Sequence, residues 1–213
     1  MKMVSRNIVI ESPVKGQWAI MNPPGHAELA FDFLAVNDRK LPYRGRDMLL
    51  HFLGTIPVTA TYAWSQPVYA PLDGTVVACS DGNPDRERTG MIYDLVRLLL
   101  QRPKPGSPFS AYGGNYVILK CGDVYPLFAH LRNGSVRVRP GDSVRAGKQI
   151  GEVGNSGSSI QPHLHFQIMA NEDPFPLFEN LVPFVLRSVH KRVERTWKEM
   201  SNAELANGDH LRL

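Results

Sequence analysis

Two cysteines, Cys79 and Cys121, are all the sequence holds. That excludes a disulfide framework and a CxxC metal knuckle. Each ends an apolar strand-like run, so either one bridge between neighbouring strands or two partly buried thiols would fit, and the unpaired state is the expectation. No apolar run approaches the roughly 18 residues that span a bilayer. Met1 to Ile10 is followed by Glu11, Pro13, Lys15 and Gly16 and lacks the uninterrupted apolar stretch of a secretory signal. Charge of one sign is scarce as well, with 24 Lys and Arg against 20 Asp and Glu, a net charge of +4. Such an excess favours approach to an anionic surface or polymer. It is not gathered into a block that reads as a nucleic-acid footprint, so no nucleic-acid partner is expected. The densest basic stretch, Arg187 to Arg195, is spaced like the solvated face of a helix. Hydrophobic residues at 43% and charged residues at 21% exclude disordered, collagen-like and coiled-coil chains.

What is present is turn chemistry. The chain has 18 Gly and 17 Pro in 213 residues, which favours many turns and short strands. Two β-rich runs flank Asp73-Gly74, a hairpin or tight-turn signal. Further strand patterns run from Asn115 to Lys120, from Val124 to Leu131, through Lys148-Gln149-Ile150-Gly151 and over His163 to Ile168. Between them, residues 91–100 carry apolar side chains at 92, 95, 96, 99 and 100, a helical stripe that Pro103, Pro105 and Pro108 stop. The expected fold is mainly β, a compact antiparallel β-sandwich or barrel-like domain with a helical insertion. Apolar residues at 185, 186, 189, 193, 197 and 200 predict a C-terminal helix ending near Gly208. The expected organisation is one structural domain in three stretches: an N-terminal segment 1–63, a core 64–180 with the insertion at 83–113, and a helical extension 181–213.

Three of the seven histidines fall at strand positions near the end of the β region. In His163-Leu164-His165, residues two apart project from one face while Leu164 and Phe166 take the other. The Gly154 to Ser159 loop places small residues beside that face. His130 ends another strand, and if the two strands are neighbours, three imidazoles share one groove. A typical catalytic zinc site of three protein ligands plus water still needs a carboxylate. Asp32 is the best carboxylate, with His26 six residues before it on a loop that must fold back at Pro23-Pro24-Gly25. From spacing alone the bland readings stand beside this one: a strand histidine is more often a hydrogen-bonded rim residue, and a glycine-rich loop is usually only a turn. His51, His190 and His210 show no partner pattern. The loop also lacks the Gly-Lys-Ser/Thr ending of a phosphate site.

Taken together, several segments resemble the lysostaphin-type (LytM-like) zinc metallopeptidases, whose members mostly cut peptide bonds in bacterial peptidoglycan. They are Pro67-Val68-Tyr69-Ala70-Pro71 with Asp73-Gly74-Thr75-Val76-Val77, Gly114-Asn115-Tyr116-Val117, and Phe128-Ala129-His130-Leu131. Two more are Gly141-Asp142-Ser143-Val144 with Gly147-Lys148-Gln149-Ile150-Gly151, and Gly154-Asn155-Ser156-Gly157 with Pro162-His163-Leu164-His165-Phe166. The order and spacing cover roughly residues 64–168. The resemblance implies a duplicated-hybrid-motif β fold, one Zn2+ ion held by His26, Asp32 and His165, and catalytic roles for His130 and His163. It implies peptidoglycan or another slender peptide as substrate, and hence a periplasmic or extracellular location. The chain departs from the family in having five residues between His26 and Asp32 where most members have three. It also has the helical insertion, which is expected to form a wall of the cleft.

The chain contains no HExxH glutamate, so the two remaining histidines would divide the general-base and general-acid work, in an order the sequence leaves open. Two other functions compete. One is a LytM-like domain without zinc that regulates another wall hydrolase, motivated by the His26–Asp32 spacing. The other is a lipoyl- or biotinyl-type carrier, which shares the Ala-Pro-Leu-Asp-Gly-Thr-Val pattern but would need a lysine at a hairpin tip.

Overall fold

The β-branched and aromatic runs of the sequence become the middle of one large sheet. The computed structural model describes residues 7–23, 26–44, 48–100, 103–104, 106–175 and 179–213. Pro24, Gly25 and Pro105, to which the sequence assigns a fold-back and a helix stop, lie outside the described residues. In chain order the first elements are β1 (Ile8–Ile10), β2 (Gln17–Met21), β3 (Phe31–Ala35), α1 (Met48–Leu53), β4 (Ile56–Pro57), β5 (Pro67–Tyr69), β6 (Gly74–Ser80) and β7 (Arg88–Thr89). The insertion supplies α2 (Met91–Leu100) and α3 (Phe109–Gly113). After it come β8 (Asn115–Lys120), β9 (Tyr125–Leu131), β10 (Ser143–Val144), β11 (Gln149–Glu152), β12 (Leu164–Met169), β13 (Phe184–Val193), β14 (Thr196–Ala203) and β15 (His210–Arg212).

Eleven of these strands form one sheet in the order β1-β13-β15-β2-β3-β12-β9-β8-β6-β10, with β14 added on β13. Its pairs are antiparallel except β1 on β13. The segments 1–63, 64–180 and 181–213 therefore share one sheet, since β2 and β3 sit between β15 and β12. The central strands β3 and β12 are buried at every residue, so both of their faces are covered. Phe33, Phe166 and Phe128 fill one face, with ring centroids 6.2 and 5.2 Å from Phe166. The pleat sends Asp32, His165 and Gln167 to the other face.

Two sequence expectations fail. Residues 181–213 form no helix: β13 and β14 make a hairpin that widens the sheet, and β15 returns beside β13. Its turn is Glu194-Arg195, both with positive φ (48° and 73°). A two-residue hairpin turn of that kind is usually written Asn-Gly, so the signal is hidden. Apolar residues that read as a helical stripe instead meet across the hairpin, Leu186 opposite Ala203 and Val189 opposite Met200. The basic run Arg187 to Arg195 is accordingly a largely solvated strand. Nor does Asp73-Gly74 join its flanking strands as a hairpin. β5 pairs with β11 while β6 pairs with β8 and β10, so the turn carries the chain between sheets. The Asp73 carboxylate fixes it by accepting the Ala146 N–H at 2.8 Å. Both cysteines are free thiols. Burial pushes the Cys121 thiol up to about 11.

Candidate metal centre

Asp32 and His165 face each other because β3 and β12 are neighbours and this pair is in register. His165 Nδ1 lies 2.9 Å from Asp32 Oδ1, and its Nε2 lies 3.1 Å from Gln167 Oε1. His26 arrives from the loop between β2 and β3, with Nδ1 3.7 Å from Asp32 Oδ2. The five-residue spacing is absorbed by Asn22, whose side-chain amide donates to the carbonyls of Ala27 and Ala30 at 2.8 and 3.1 Å. One ligand atom from each of His26, Asp32 and His165 falls within 4.8 Å of the others. Two donors bound at 2.0–2.1 Å to one tetrahedral Zn2+ stand about 3.3–3.4 Å apart. The separations of 2.9 Å from His165 to Oδ1 and 3.7 Å from His26 to Oδ2 of the same carboxylate lie either side of that value. Two imidazole nitrogens and one carboxylate oxygen also match the donor set that zinc takes. The residues fit the ion.

Electrostatics prepare the same donors. Burial lowers His26 to about 4 against the opposing pull of Asp32, so at neutral pH its ring is uncharged and offers a lone pair. Burial alone would raise Asp32, but the charge and hydrogen bonds of His163, with help from His165, hold it well below the usual carboxylate range. A deprotonated carboxylate is what a cation needs.

His130 and His163 flank this group, their ring centroids 4.8 Å apart. His130 comes from β9, next to β12, and has a left-handed backbone with φ 62°. Such a conformation costs a non-glycine residue about 1–3 kcal/mol and persists only where the surroundings enforce it. The His130 carbonyl accepts the Gly154 N–H at 2.9 Å, and its ring Nδ1–H donates to the Ser156 carbonyl at 3.0 Å. That bond fixes the tautomer, leaving Nε2 as the atom with a lone pair in the neutral ring. Burial drives His130 well below its ordinary value, aided by His163 and His165. His163 precedes β12 and donates from Nδ1 to the Gln161 carbonyl at 2.7 Å. Its Nε2 lies 3.5 Å from Asp32 Oδ1. Burial opposes the charged ring, yet Asp32 and these bonds raise it overall.

The insertion braces the site. Asp94, fully buried on α2, faces Arg97 Nε at 3.2 Å and Arg86 Nε at 3.4 Å. Arg86 donates to the carbonyl of Gly157 and to Asn155 Oδ1, and Arg97 to the Ser159 carbonyl at 2.6 Å. Ser159 in turn places its hydroxyl 3.2 Å from His163 Nδ1. The Gly154 to Ser159 loop is thus mostly a packed support, although Ser158 does line the cleft. Helix α3 forms a wall: a cleft of about 210 Å³ opens among His26, Phe109, Tyr112, His130, His165 and Gln167. Loop and helix touch at Gly157 and Gly114. A Cβ on Gly157 would stand 2.3 Å from the Gly114 nitrogen, and φ is +66°. Gly122 has a similar φ of +62° with open space around it. Gly157→Ala is therefore expected to destabilise by more than Gly122→Ala, whose cost is the left-handed penalty of about 1–2 kcal/mol alone. Urea unfolding of the two variants checks the difference.

All five site residues named from the sequence meet here. His190 and His210 lie on β13 and β15, and His51 stacks on Tyr43 with ring centroids 4.3 Å apart. Sequence reasoning missed Asn22, Gln167, Arg86 and Asp94. Gln167 continues the HxH alternation and could have been found by extending it; the others carry no local signal.

Residues 103–176 match the model of Peptidase family M23. That stretch includes His130, His163 and His165, while His26 and Asp32 lie upstream of it. The peptidoglycan DD-endopeptidase ShyA of Vibrio cholerae is 32% identical over 72 residues, covering 34% of this chain and 16% of that protein. The glycyl-glycine endopeptidase ALE-1 of Staphylococcus capitis is 36% identical over 75 residues, 32% of this chain and 21% of that protein. The chain thus spans less than a quarter of the length of these curated relatives. Among solved structures, the catalytic domain of lysostaphin from Staphylococcus simulans aligns over 78% of this chain and 92% of its own, at 21% identity and a TM-score of 0.38.

Proposed function

We propose that this chain, which carries a Peptidase family M23 domain, is a zinc-dependent endopeptidase that hydrolyses peptide bonds in peptidoglycan stem peptides or cross-bridges. The observation that carries the reading is the convergence of His26, Asp32 and His165, beside two further histidines, His130 and His163, whose ring centroids stand 4.8 Å apart. His26, Asp32 and His165 would hold the ion as three protein ligands, the number a catalytic zinc site uses. Bound there, Zn2+ supplies Lewis acidity, polarising a carbonyl and lowering the pKa of a water towards about 7. His130, held by the Ser156 carbonyl at Nδ1, has Nε2 free to take the proton of the attacking water. His163 keeps its Nδ1 proton on the Gln161 carbonyl, so Nε2 is the atom through which it would give a proton. From there it hydrogen-bonds the developing oxyanion and protonates the leaving amine. Gly113, Ala129 and Ser158 line the cleft with small side chains, which suits slender peptides. The named activities of ShyA and ALE-1 support a cell-wall substrate, which lies in the periplasm or outside the cell.

The competing reading is a zinc-free regulator of another hydrolase. The intact five-residue cluster speaks against it, because loss of function removes the pressure that keeps ligands together. Metal analysis of protein purified without added zinc, combined with release of soluble fragments from purified peptidoglycan, separates the two. The endopeptidase is expected to carry about one zinc per chain and to release fragments until a chelator is added. Metal-free protein that zinc does not restore, and that binds peptidoglycan without cleaving it, would overturn the reading.

A further inference from the structure

Helix α2 is built inside out. Its acidic residue Asp94 is fully buried against Thr89, Arg86 and Arg97, so its polar side is spent on anchoring to the domain. The opposite side exposes Ile92, Leu95, Val96 and Leu100, the last 80% exposed. Helix α1 packs against α2, and the two are tied by the pairing of Ile56 with Thr89. It exposes Leu49, Leu50, Phe52 and Leu53, the last 68% exposed. Soluble monomers rarely show a contiguous apolar patch of this kind without a partner for it.

Charge says what that partner is. Among the described residues beside the two helices, Arg97 is spent on the buried Asp94, and the nearest exposed acid is Glu87. Arg44, Arg88 and Lys104 are exposed, whereas Asp94 is not. An apolar face rimmed by cations is the pattern that enters the boundary between headgroups and acyl chains of an anionic bilayer. A second copy of this chain would bring the same cationic rim against itself. Among the described residues no helix is long and apolar enough to cross a membrane. We propose that the α1–α2 pair docks the protein on an anionic lipid bilayer. The cations draw it in, and the leucines and phenylalanine hold it.

Co-sedimentation of the full chain with vesicles tests this. The chain is expected to sediment with phosphatidylglycerol–phosphatidylethanolamine vesicles, weakly with phosphatidylcholine vesicles, and less as salt rises. Leu49→Asp with Leu95→Asp, at two exposed positions, is expected to weaken sedimentation at least about 10-fold, with circular dichroism and zinc content unchanged. Lys104→Glu is expected to weaken it several-fold on anionic vesicles only. If the leucine variant misfolds, Lys104→Glu and the salt titration still decide. Wild-type protein that ignores anionic vesicles, that binds neutral ones equally, or whose helix face is covered in a dimer that the leucine variant dissociates would overturn the proposal.

Discussion

Replacing His165 by alanine is expected to remove the metal and the activity together. His165 sits opposite Asp32 in the ladder and brings Nδ1 to 2.9 Å from that carboxylate, so no neighbouring side chain can take its place without breaking the register of β3 and β12. Changing a residue that merely orients a ligand costs about 10–100-fold in metal affinity. Removing a ligand itself is expected to cost more than that. In a competition titration with a chelating dye, the variant should lose zinc at chelator concentrations that the parent protein withstands. Fragment release from peptidoglycan should fall to background. A second readout is independent of turnover. Anything that binds only the folded state stabilises it by mass action, so zinc should raise the Tm of the parent and leave that of His165→Ala unmoved. An alanine variant with a full zinc complement and a zinc-dependent Tm would remove His165 from the ligand set.

How much of this was legible in the sequence depended on whether the signal was local. The strands β8, β9 and β12 stand where alternation and β-branched residues place them, because a strand with one face in the core must keep its period. The HxH pair was legible for the same reason. The union of His26 with Asp32 came from the family resemblance rather than from spacing; what stayed hidden was its support, Asn22 reaching across the loop to the carbonyls of Ala27 and Ala30, because an asparagine in a loop looks like any other. The β13–β14 hairpin was hidden by Glu194-Arg195, which adopts positive φ without the glycine or asparagine that advertises it. The helical insertion was visible as a stripe on α2. Its orientation was not, because an apolar stripe is ordinarily assigned to the core, and here the buried Asp94 turns the stripe outward. Helix α1 escaped notice because its residues are apolar with no alternating polar face to mark a period.

His130→Ala is expected to keep zinc and lose turnover, and the separation of those two effects is what distinguishes a proton carrier from a ligand. The His130 ring is not among the three groups whose donor atoms converge; its centroid stands 6.0 Å from that of His165. Alanine adopts the left-handed backbone less readily than histidine, so the substitution adds some strain at φ 62° and a lowered Tm is expected beside the loss of turnover. What is lost is the Nδ1 bond to the Ser156 carbonyl and the Nε2 lone pair. Positioned general acid–base groups contribute about 10²–10⁴-fold, and kcat is expected to fall within that range while zinc content and KM stay near those of the parent. His163 does not compensate, because its own Nδ1 is committed to the Gln161 carbonyl and its Nε2 is the atom that serves the oxyanion and the leaving amine. Removing His163 as well should lower kcat much less than a second independent loss would, since water deprotonation by His130 and leaving-amine protonation by His163 belong to one catalytic cycle and act as a unit. Near-normal hydrolysis by His130→Ala would show that the proton leaves the water by another route. A loss of zinc instead would make His130 a ligand, and His26 would then be the residue to remove from the set.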